Sequence, residues 1–448
     1  MPTKSFTVCL KSKIKSYKKV ITVDSDKSLS IRSFLIGSIC QGISMASNVL
    51  ESDDVKSTIN ACRILGVKII KVKHGFFKIY GKGLGSFIAK KNLTINFGNS
   101  GTLARLLIGI LSTNPNIQIN VKGDHSLNKR SMKKLKDLLS KFGAVFLPKH
   151  KQKFPLKLIS SEMPVGLKYK AGVSAQLKSA AILAGLNSYG NTIIEEQIGS
   201  RDHTENLLIK NNQAIKISEK GKRIIKVVGK SYLNPLNLNI SGDPSSAAFF
   251  TALTLLNDNS TLKIKNVGLN PTRTGFYQIL KKQRAKIKFT NLKKVNNEIK
   301  GDIYIRSCKL SSIKTESHLY SKTADEFPIL FVIAALIKGT SVFKGIQDLA
   351  NKESDRIKEM QKVIKQVGVH SSYSKGILKI FGKGMVDASS KNIIVPNLGD
   401  HRIAQSSFVL ALLTGAKTKI NNFETVFTSA PSFLKIMKLI GAKFEVKK

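Results

Sequence analysis

The run Asn96-Phe97-Gly98-Asn99-Ser100-Gly101-Thr102-Leu103-Ala104-Arg105 leads directly into an apolar stretch at 106–111. This pattern predicts a strand over 93–97, a tight turn, and a buried helix that starts near Thr102. Glycine allows a sharp turn and the close approach of a ligand. The free N–H groups and the positive end of the helix then form an anion site. A P-loop is excluded, because no Gly-Lys-Ser/Thr sequence closes the turn.

The same pattern, polar residues followed at once by an apolar helix, occurs five more times. The starts are roughly 70–80 residues apart, which indicates an internal repeat. The five polar runs and their apolar helices are 26–32 before 34–39, 174–178 before 180–186, 241–246 before 247–256, 325–328 before 329–336, and 399–402 before 403–413.

A second periodic signal has the same period. Six helical segments end in Gly or a polar residue, followed by Ala or Val and then a strand, at Gly66, Gly143, Gln213, Arg284, Gly368 and Gly441. The intervals are 77, 70, 71, 84 and 73 residues. We therefore expect six α/β units, three in each of two domains, with the main boundary near 230–240. The six apolar helices would form the cores, and their N-termini would face the gap between the domains, where a small anion with several charges would bind.

Composition narrows the class of protein. The 448 residues suffice for two domains, and the net charge is +46. Basic residues are spread along the whole chain without a familiar nucleic-acid motif, so specific nucleic-acid binding is not expected. The four cysteines lack metal-ligand spacing, no stretch is long and apolar enough to span a membrane, and no signal peptide is apparent. These features predict a cytoplasmic protein with reduced thiols.

Arginine is scarce, and its positions are informative. Only 11 of the 74 basic residues are Arg. Arginine provides a fixed, bidentate fork for phosphate or carboxylate that lysine cannot replace. Seven of the arginines lie in the polar motifs described in this section, namely Arg32, Arg105, Arg130, Arg201, Arg273, Arg356 and Arg402.

Four further polar runs complete a set of motifs in a characteristic order: 123–130, 200–205 (Ser-Arg-Asp-His-Thr-Glu), 270–275 and 352–356 (Lys-Glu-Ser-Asp-Arg). Taken with the runs above, the set resembles the 5-enolpyruvylshikimate-3-phosphate synthase family over essentially the whole chain. The resemblance is closer to the bacterial branch that carries Ser-Arg-Asp-His-Thr-Glu. It implies transfer of an enolpyruvyl group from phosphoenolpyruvate to the 5-hydroxyl of shikimate 3-phosphate, with release of phosphate by addition and elimination.

The resemblance also implies a fold. The family has a two-domain inside-out α/β barrel with three βαβαββ-type repeats in each domain, and the domains close on the substrates. By this resemblance, 1–22 together with 236–448 would form the C-terminal domain and 23–235 the N-terminal domain, with the active site in the cleft between them. We expect a monomer that acts on small anionic substrates and is inhibited by glyphosate. No metal or organic cofactor is expected.

The site residues follow from motif position in the family. Those expected to hold shikimate 3-phosphate are Lys27, Ser28, Arg32, Ser174, Ala175, Gln176, Arg201, Asp325 and Lys352. Those expected to hold phosphoenolpyruvate are Lys27, Asn99, Gly101, Arg130, Gln176, Arg356 and Arg402. The reaction needs a base for the hydroxyl and an acid for the enol methylene. We assign Asp325 as the base, Glu353 as the acid, and Lys27 to the departing phosphate. His203 and His401 are interpreted as local hydrogen-bonding residues that orient the neighbouring arginines.

Some positions depart from the family pattern. Asp24-Ser25 stands where the family usually has Pro-Gly, and Ile31 stands where it often has His. Two alternatives remain. One is the sister enolpyruvyl transferase that acts on UDP-N-acetylglucosamine, which typically carries a cysteine in a mobile loop. The other is a basic nucleic-acid-associated protein that has kept the fold without catalysis.

Overall fold

The computed structural model describes residues 5–90, 92–219 and 221–448, so the first four residues of the predicted segment 1–22 lie outside it. The strands within these ranges are β1 (Thr7–Leu10), β2 (Lys18–Thr22), β3 (Gln41–Ser47), β4 (Lys68–Lys73), β5 (Phe76–Lys82), β6 (Thr94–Asn96), β7 (Gln118–Lys122), β8 (Val145–Leu147), β9 (Leu156–Ile159), β10 (Lys168–Ala171), β11 (Asn191–Glu196), β12 (Ile215–Ser218), β13 (Arg223–Val228), β14 (Asn237–Asn239), β15 (Thr261–Gly268), β16 (Ile287–Val295), β17 (Glu298–Arg306), β18 (Lys314–Thr315), β19 (Lys338–Lys344), β20 (His370–Ser374), β21 (Ile377–Lys383), β22 (Asn392–Val395), β23 (Lys417–Ile420) and β24 (Glu445–Lys447).

The α-helices within the same ranges are α1 (Lys27–Ile39), α2 (Asp53–Ile64), α3 (Gly101–Leu111), α4 (His125–Lys129), α5 (Lys133–Ser140), α6 (Ala175–Leu186), α7 (His203–Leu208), α8 (Pro244–Leu256), α9 (Gly275–Lys282), α10 (Tyr320–Thr323), α11 (Phe327–Leu336), α12 (Arg356–Gln366), α13 (His401–Thr414) and α14 (Phe433–Leu439). Short 3₁₀ helices span Ser317–Leu319, Gln347–Asn351 and Phe423–Thr428.

One sheet topology recurs six times in the described part of the chain. Each sheet has four strands, of which the first pair is parallel and the other neighbours are antiparallel. Because a parallel pair needs a crossover, a buried helix connects its two strands in the simplest copies, as α3 does between β6 and β7. The six orders are β6-β7-β9-β8, β10-β11-β13-β12, β14-β3-β5-β4, β2-β15-β17-β16, β18-β19-β21-β20 and β22-β23-β1-β24.

Three strands pair with strands that are distant from them in the sequence. The strand β2 precedes α1 but pairs in parallel with β15, whereas β14 precedes α8 but pairs in parallel with β3. The strand β2 thus completes the sheet of the repeat that begins with α8, and β14 completes the sheet of the repeat that begins with α1. Near the N-terminus, β1 lies between β23 and β24 and supplies the strand that the last repeat lacks. The six-fold repeat is thus kept although the chain passes between sheets twice.

The six apolar runs form the six buried helices that the repeat predicts: α1, α3, α6, α8, α11 and α13. Every residue of α8, α11 and α13 is buried. A helix that is apolar on all faces is stable only when other elements cover it on all sides. Such burial is worth about 1.5–3 kcal/mol for each large apolar side chain, which makes these helices the main source of stability.

The chain divides into two compact units. Unit 1 comprises 1–24, 241–294 and 299–448, and unit 2 comprises 25–240 with 295–298. The core of unit 1 is built on α8, α11 and α13, which pack together, and the core of unit 2 is built on α1, α3 and α6. The domain boundaries predicted from the sequence, and the active-site location that depends on them, stay a prediction.

The outer helices end as the second periodic signal predicts. Gly143 and Gly441 follow α5 and α14 with φ of 94° and 102°, a conformation that favours glycine. At the equivalent position after α9, Arg284 has a φ of 59°. In all six repeats a strand begins within four residues of this cap position. Within the described residues, no helix is both long and apolar enough to cross a membrane.

Candidate functional site

Unit 2 brings the first turns of its three core helices to one end. Arg32 of α1 donates from Nη2 to the Ser179 hydroxyl of α6 at 3.1 Å. Gln176 of α6 donates from Nε2 to the Thr102 hydroxyl of α3 at 2.9 Å. Both bonds join residues within the first two turns of their helices, so three positive helix ends lie on the same side of the unit. This arrangement favours a bound anion.

Lys27 is the first residue of α1 and lies at this end. The Asp26 side chain caps the helix by accepting a hydrogen bond from the Leu29 N–H at 2.8 Å, so the unusual Asp24-Ser25 sequence leaves the start of the helix intact. The Lys27 Nζ lies 2.9 Å from Asp54 Oδ2 in α2, and the two side chains are 20% and 7% exposed. Asp54 thus holds an ammonium group that solvent still reaches.

Arg32 is buried and holds several oxygen atoms in place. Its Nε donates to the Thr204 hydroxyl at 2.8 Å, and its Nη1 donates to the Ser28 carbonyl at 3.2 Å and to the Ser28 hydroxyl. Ser28 and Arg32, which the resemblance assigns to one ligand, are therefore in direct contact. The neighbouring Ile31 is fully buried, where a histidine would have no solvent contact.

The turn before α3 forms a compact network with α6. The Ser100 hydroxyl caps α3 by accepting from the Leu103 N–H at 3.2 Å. Arg105 Nη1 donates to the Gly101 carbonyl at 3.2 Å and to Gln176 Oε1 at 2.8 Å. Because Thr102 accepts from the Gln176 amide nitrogen, the orientation of this amide is defined and one N–H remains for a ligand.

Asn99 links this turn to Arg130. Its Oδ1 accepts from Arg130 Nη2 at 2.7 Å, and its Nδ2 donates to Asp124 Oδ2 at 2.8 Å. A Cβ on Gly101 would lie 2.7 Å from Arg105 Nη1 and 3.2 Å from Arg130 Nη1. A side chain at this position would therefore displace the Arg105 guanidinium, which lies at the end of a flexible side chain.

The remaining expected residues of unit 2 are at the start of α6 and before α7. Ser174 caps α6 by accepting from the Leu177 N–H at 3.4 Å, and Ala175 is the first residue of that helix. Arg201 is partly buried two residues before α7. Unit 2 therefore contains Lys27, Ser28, Arg32, Asn99, Gly101, Arg130, Ser174, Ala175, Gln176 and Arg201.

In unit 1, the central group is the Arg356 guanidinium, which is only 1% exposed. Asp400 accepts from Nε at 2.9 Å and from Nη2 at 3.3 Å, and Glu353 accepts from Nη2 at 2.6 Å. Asp325 Oδ1 lies 3.7 Å from Nη1. Burial alone would lower the pKa of Arg356, but the charges of Asp400 and Glu353 outweigh burial and raise it. Asp325 and Glu353, the expected base and acid, therefore share one permanently charged partner.

Arg402 differs from Arg356, because no described carboxylate forms an ion pair with its guanidinium. Its backbone N–H donates to Asp400 Oδ1 at 2.9 Å, and its guanidinium lies 5.7 Å from the centre of the Phe249 ring. The residue is 4% exposed. Among the described residues, Nε and Nη1 have no hydrogen-bond partner. A buried and unpaired cation is costly, so this guanidinium is suited to an anionic ligand.

Lys352 is held by two residues that the sequence did not single out. Its Nζ lies 2.8 Å from Asp348 Oδ2 and 5.7 Å from the centre of the Tyr320 ring. Its side chain remains 27% exposed. Unit 1 therefore contains Asp325, Lys352, Glu353, Arg356 and Arg402.

Two residues of the polar motifs have partners that the sequence did not indicate. Arg273, one of the seven motif arginines, is buried and donates from Nη2 to Asp243 Oδ1 at 3.1 Å and to the Ser245 hydroxyl at 3.0 Å, so it supports the start of α8. His203 Nδ1 forms a hydrogen bond of 2.8 Å with Glu298 Oε1, which lies 95 residues along the chain. The orientation of neighbouring arginines by His203 and His401 stays a prediction.

Comparisons with known proteins identify the family. The family model described as EPSP synthase (3-phosphoshikimate 1-carboxyvinyltransferase) matches residues 11–437. The chain belongs to the EPSP synthase family. A curated relative, the 3-phosphoshikimate 1-carboxyvinyltransferase of Zymomonas mobilis, is 36% identical over 95% of this chain and 94% of its own length. Another from Petrotoga mobilis is also 36% identical, over 94% of this chain and 96% of its own.

Solved structures agree with this assignment. The EPSP synthase of Acinetobacter baumannii is 33% identical, covers 99% of this chain and 100% of its own, and superposes with a TM-score of 0.84. The enolpyruvyl transferase NikO of Streptomyces tendae has a TM-score of 0.74 at 12% identity over 99% of each chain, a likeness of fold alone. The two-domain inside-out α/β fold of the EPSP synthase family, expected from the sequence, is confirmed; the described strands form six open sheets.

Proposed function

We propose that the protein is an enzyme that transfers the enolpyruvyl group of phosphoenolpyruvate to the 5-hydroxyl of shikimate 3-phosphate and releases phosphate. Membership of the EPSP synthase family supports the reaction class. The observation that carries the proposal is the pairing of Asp325 and Glu353 with one buried guanidinium, that of Arg356. An addition–elimination reaction needs two proton-transferring groups held side by side, and this arrangement provides them.

The chemistry assigns a separate task to each carboxylate. In the addition step, Asp325 accepts the proton of the 5-hydroxyl while the hydroxyl oxygen attacks C2 of phosphoenolpyruvate, and Glu353 gives a proton to the methylene carbon. In the elimination step, Glu353 takes a proton back from the new methyl group, the bond from C2 to the phosphate oxygen breaks, and the proton held by Asp325 leaves with the phosphate. Lys27, whose ammonium group is held by Asp54, balances charge on the departing phosphate.

Two overlapping sets of residues bind the two anions. We assign Lys27, Ser28, Arg32, Ser174, Ala175, Gln176, Arg201, Asp325 and Lys352 to shikimate 3-phosphate, and Lys27, Asn99, Gly101, Arg130, Gln176, Arg356 and Arg402 to phosphoenolpyruvate. The unpaired guanidinium atoms of Arg402 support the second set. The engagement of Arg356 by three carboxylates means that an anion bound there shares the guanidinium with the protein.

The proposal is tested by measuring phosphate release from the purified protein with both substrates and with each one omitted. Release that requires both substrates is expected. Replacing shikimate 3-phosphate by UDP-N-acetylglucosamine should abolish it, because none of the four cysteines lies in a loop typical of that sister enzyme. Release with UDP-N-acetylglucosamine instead would assign the protein to the sister activity. Binding to DNA without any release would favour a non-catalytic role.

We also propose that the protein acts as a cytoplasmic monomer. The four cysteines support the location, because their spacing is typical of reduced thiols rather than of a metal site. Light scattering after gel filtration tests the monomer, for which a mass near 49.2 kDa is expected. Cell fractionation tests the location.

A further inference from the structure

Lys352 belongs to a small group of side chains in unit 1 that holds its ammonium from two directions. Asp348, one turn earlier, lies 2.8 Å from Nζ and also accepts a hydrogen bond of 2.7 Å from the Tyr320 hydroxyl. The Tyr320 ring faces the same ammonium group, with 5.7 Å between Nζ and the ring centre. The Asp348 carboxylate and the Tyr320 ring therefore fix the position of the Lys352 ammonium group at the end of its four-carbon side chain.

Tyr320 is itself rigidly placed. It is only 4% exposed, and its ring stacks on Phe327 of α11 with 5.9 Å between the ring centres and 19° between the planes. Phe327 is fully buried at the first position of that helix, two residues after Asp325. The tyrosine is thus anchored to the same helix start that carries the proposed base.

The electrostatic surroundings connect this group to the proposed site. Burial raises the pKa of Tyr320, and the nearby charge of Asp348 raises it further, so the phenol remains a hydrogen-bond donor at all physiological pH values. Arg356 and Asp325 also act on this pKa, which places Tyr320 within reach of their charges. At the same time the Lys352 side chain is 27% exposed, so a ligand can approach it.

We propose that Tyr320 and Asp348 are positioning residues that hold the Lys352 ammonium in the geometry that receives shikimate 3-phosphate. A free lysine side chain rotates about four bonds and loses that freedom when it binds an anion. A lysine that the protein has already placed loses less, so the anion binds more tightly. This inference rests on the proposed function, since it takes the ligand of Lys352 from there.

Steady-state kinetics of Tyr320→Phe and Asp348→Asn test the proposal. Each variant should raise the KM for shikimate 3-phosphate about fivefold, while kcat and the KM for phosphoenolpyruvate change less than about twofold. Lys352→Met should raise the same KM more, and adding Tyr320→Phe to Lys352→Met should have little further effect. Tyr304→Phe is the matched control, because this tyrosine of unit 1 is 43% exposed and lies on β17.

The outcomes separate this inference from the proposed function. If the wild-type protein releases no phosphate with shikimate 3-phosphate, the function is wrong. If it does, and Tyr320→Phe matches Tyr304→Phe in KM, the positioning role is wrong. Tighter binding of shikimate 3-phosphate to Asp348→Asn would also overturn it, because Asp348 would then compete with the substrate for the ammonium. Urea unfolding of the same variants shows whether Tyr320 and Lys352 are coupled in the free protein, independently of activity.

Discussion

Among single residues, Arg356 and Arg402 form a contrasting pair on neighbouring elements of unit 1. Three carboxylates surround the first, whereas Nε and Nη1 of the second have no hydrogen-bond partner among the residues that the structure describes. Arg356→Met should therefore lower the free energy of unfolding by about 3–5 kcal/mol, because it leaves buried carboxylates without their cation. Arg402→Met should leave stability unchanged or slightly higher.

Unlike Arg356→Met, which should lose stability, Arg402→Met should lose substrate binding without losing stability. Arg402→Met should raise the KM for phosphoenolpyruvate at least about tenfold while the protein stays fully folded. Urea unfolding and steady-state kinetics on the same preparations measure both quantities. A large loss of stability in Arg402→Met would mean that its guanidinium serves the fold, and the assignment to phosphoenolpyruvate would fail.

The two proposed proton-transfer residues can be tested by near-isosteric changes. Asp325→Asn and Glu353→Gln should each reduce kcat by roughly 10²-fold or more, the scale of general acid–base catalysis. Glu359→Gln is a suitable control, because this residue of α12 pairs with Lys362 through a 2.8 Å contact and lies outside the proposed site. Near-normal turnover of either site variant would remove that residue from the mechanism.

For the elements, the turn before α3 sets the shape of one anion site. The Cβ of Gly101→Ala would lie 2.7 Å from Arg105 Nη1, so the guanidinium must move and the bond to Gln176 must adjust. We expect a rise of a few-fold in the KM for phosphoenolpyruvate and a much larger rise in the inhibition constant of glyphosate, because glyphosate is slightly longer than phosphoenolpyruvate. Inhibition kinetics of the wild type and the variant, with phosphoenolpyruvate as the varied substrate, measure both the KM and the inhibition constant. A wild type that resists glyphosate would contradict this prediction.

A second prediction concerns the elements of unit 2 around α6. Lys178 is fully buried and lies 2.7 Å from both Glu196 Oε1 and Glu205 Oε1. Burial alone would raise the pKa of Glu196, but the Lys178 charge and hydrogen bonds from Lys178 and Ser200 outweigh it and lower the pKa below the ordinary 4.5. Because the pKa is lower in the folded state, the ion pair stabilises the protein fully above pH 4.5, and this contribution is lost as the pH falls through the folded pKa.

Glu196→Gln should accordingly cost about 3 kcal/mol of the free energy of unfolding at pH 7, and the difference from wild type should shrink as the pH falls below 4.5. Urea titrations between pH 3 and 8 provide the measurement. Glu195→Gln is the matched control, since this neighbouring residue is only partly buried. A difference that grows on acidification would mean that Glu196 is protonated in the folded protein.

For the whole molecule, the sequence predicted the six-fold repeat and the six buried helices, because apolar runs and cap residues are local signals. It also predicted the EPSP synthase family, which the comparisons confirm. The resemblance to the family grouped 1–22, which contains β2, with the C-terminal part of the chain. Residue patterns alone could not predict that β2 and β14 are exchanged between repeats, because strand pairing depends on contacts 190 or more residues apart. Nor could the sequence identify Asp54 as the partner of Lys27. An aspartate in the first turn of a helix is a common stabilising feature, so its residue type and position do not indicate an ion pair.

Side-chain partners were the least predictable part of the site. The pattern Lys-Glu-Ser-Asp-Arg at 352–356 marked a dense run of charge, but it did not reveal that Asp325 and Asp400 from two other segments meet the same arginine. Likewise, the polar motif that contains Arg273 did not indicate that this arginine pairs with Asp243. Residue type and spacing predict which segments form a site, whereas the identity of each ion pair depends on tertiary packing.

The central claim concerns the reaction itself, and phosphorus NMR of a single reaction mixture tests it most directly. Purified protein is mixed with equal amounts of shikimate 3-phosphate and phosphoenolpyruvate, without added metal or cofactor, and the spectrum is followed with time. The account predicts that the phosphoenolpyruvate signal falls while free phosphate rises in equal amount, and that the shikimate 3-phosphate signal shifts to that of its 5-enolpyruvyl ether. Phosphate formed with an unchanged shikimate 3-phosphate signal would contradict it, because the enolpyruvyl group would then have gone to water.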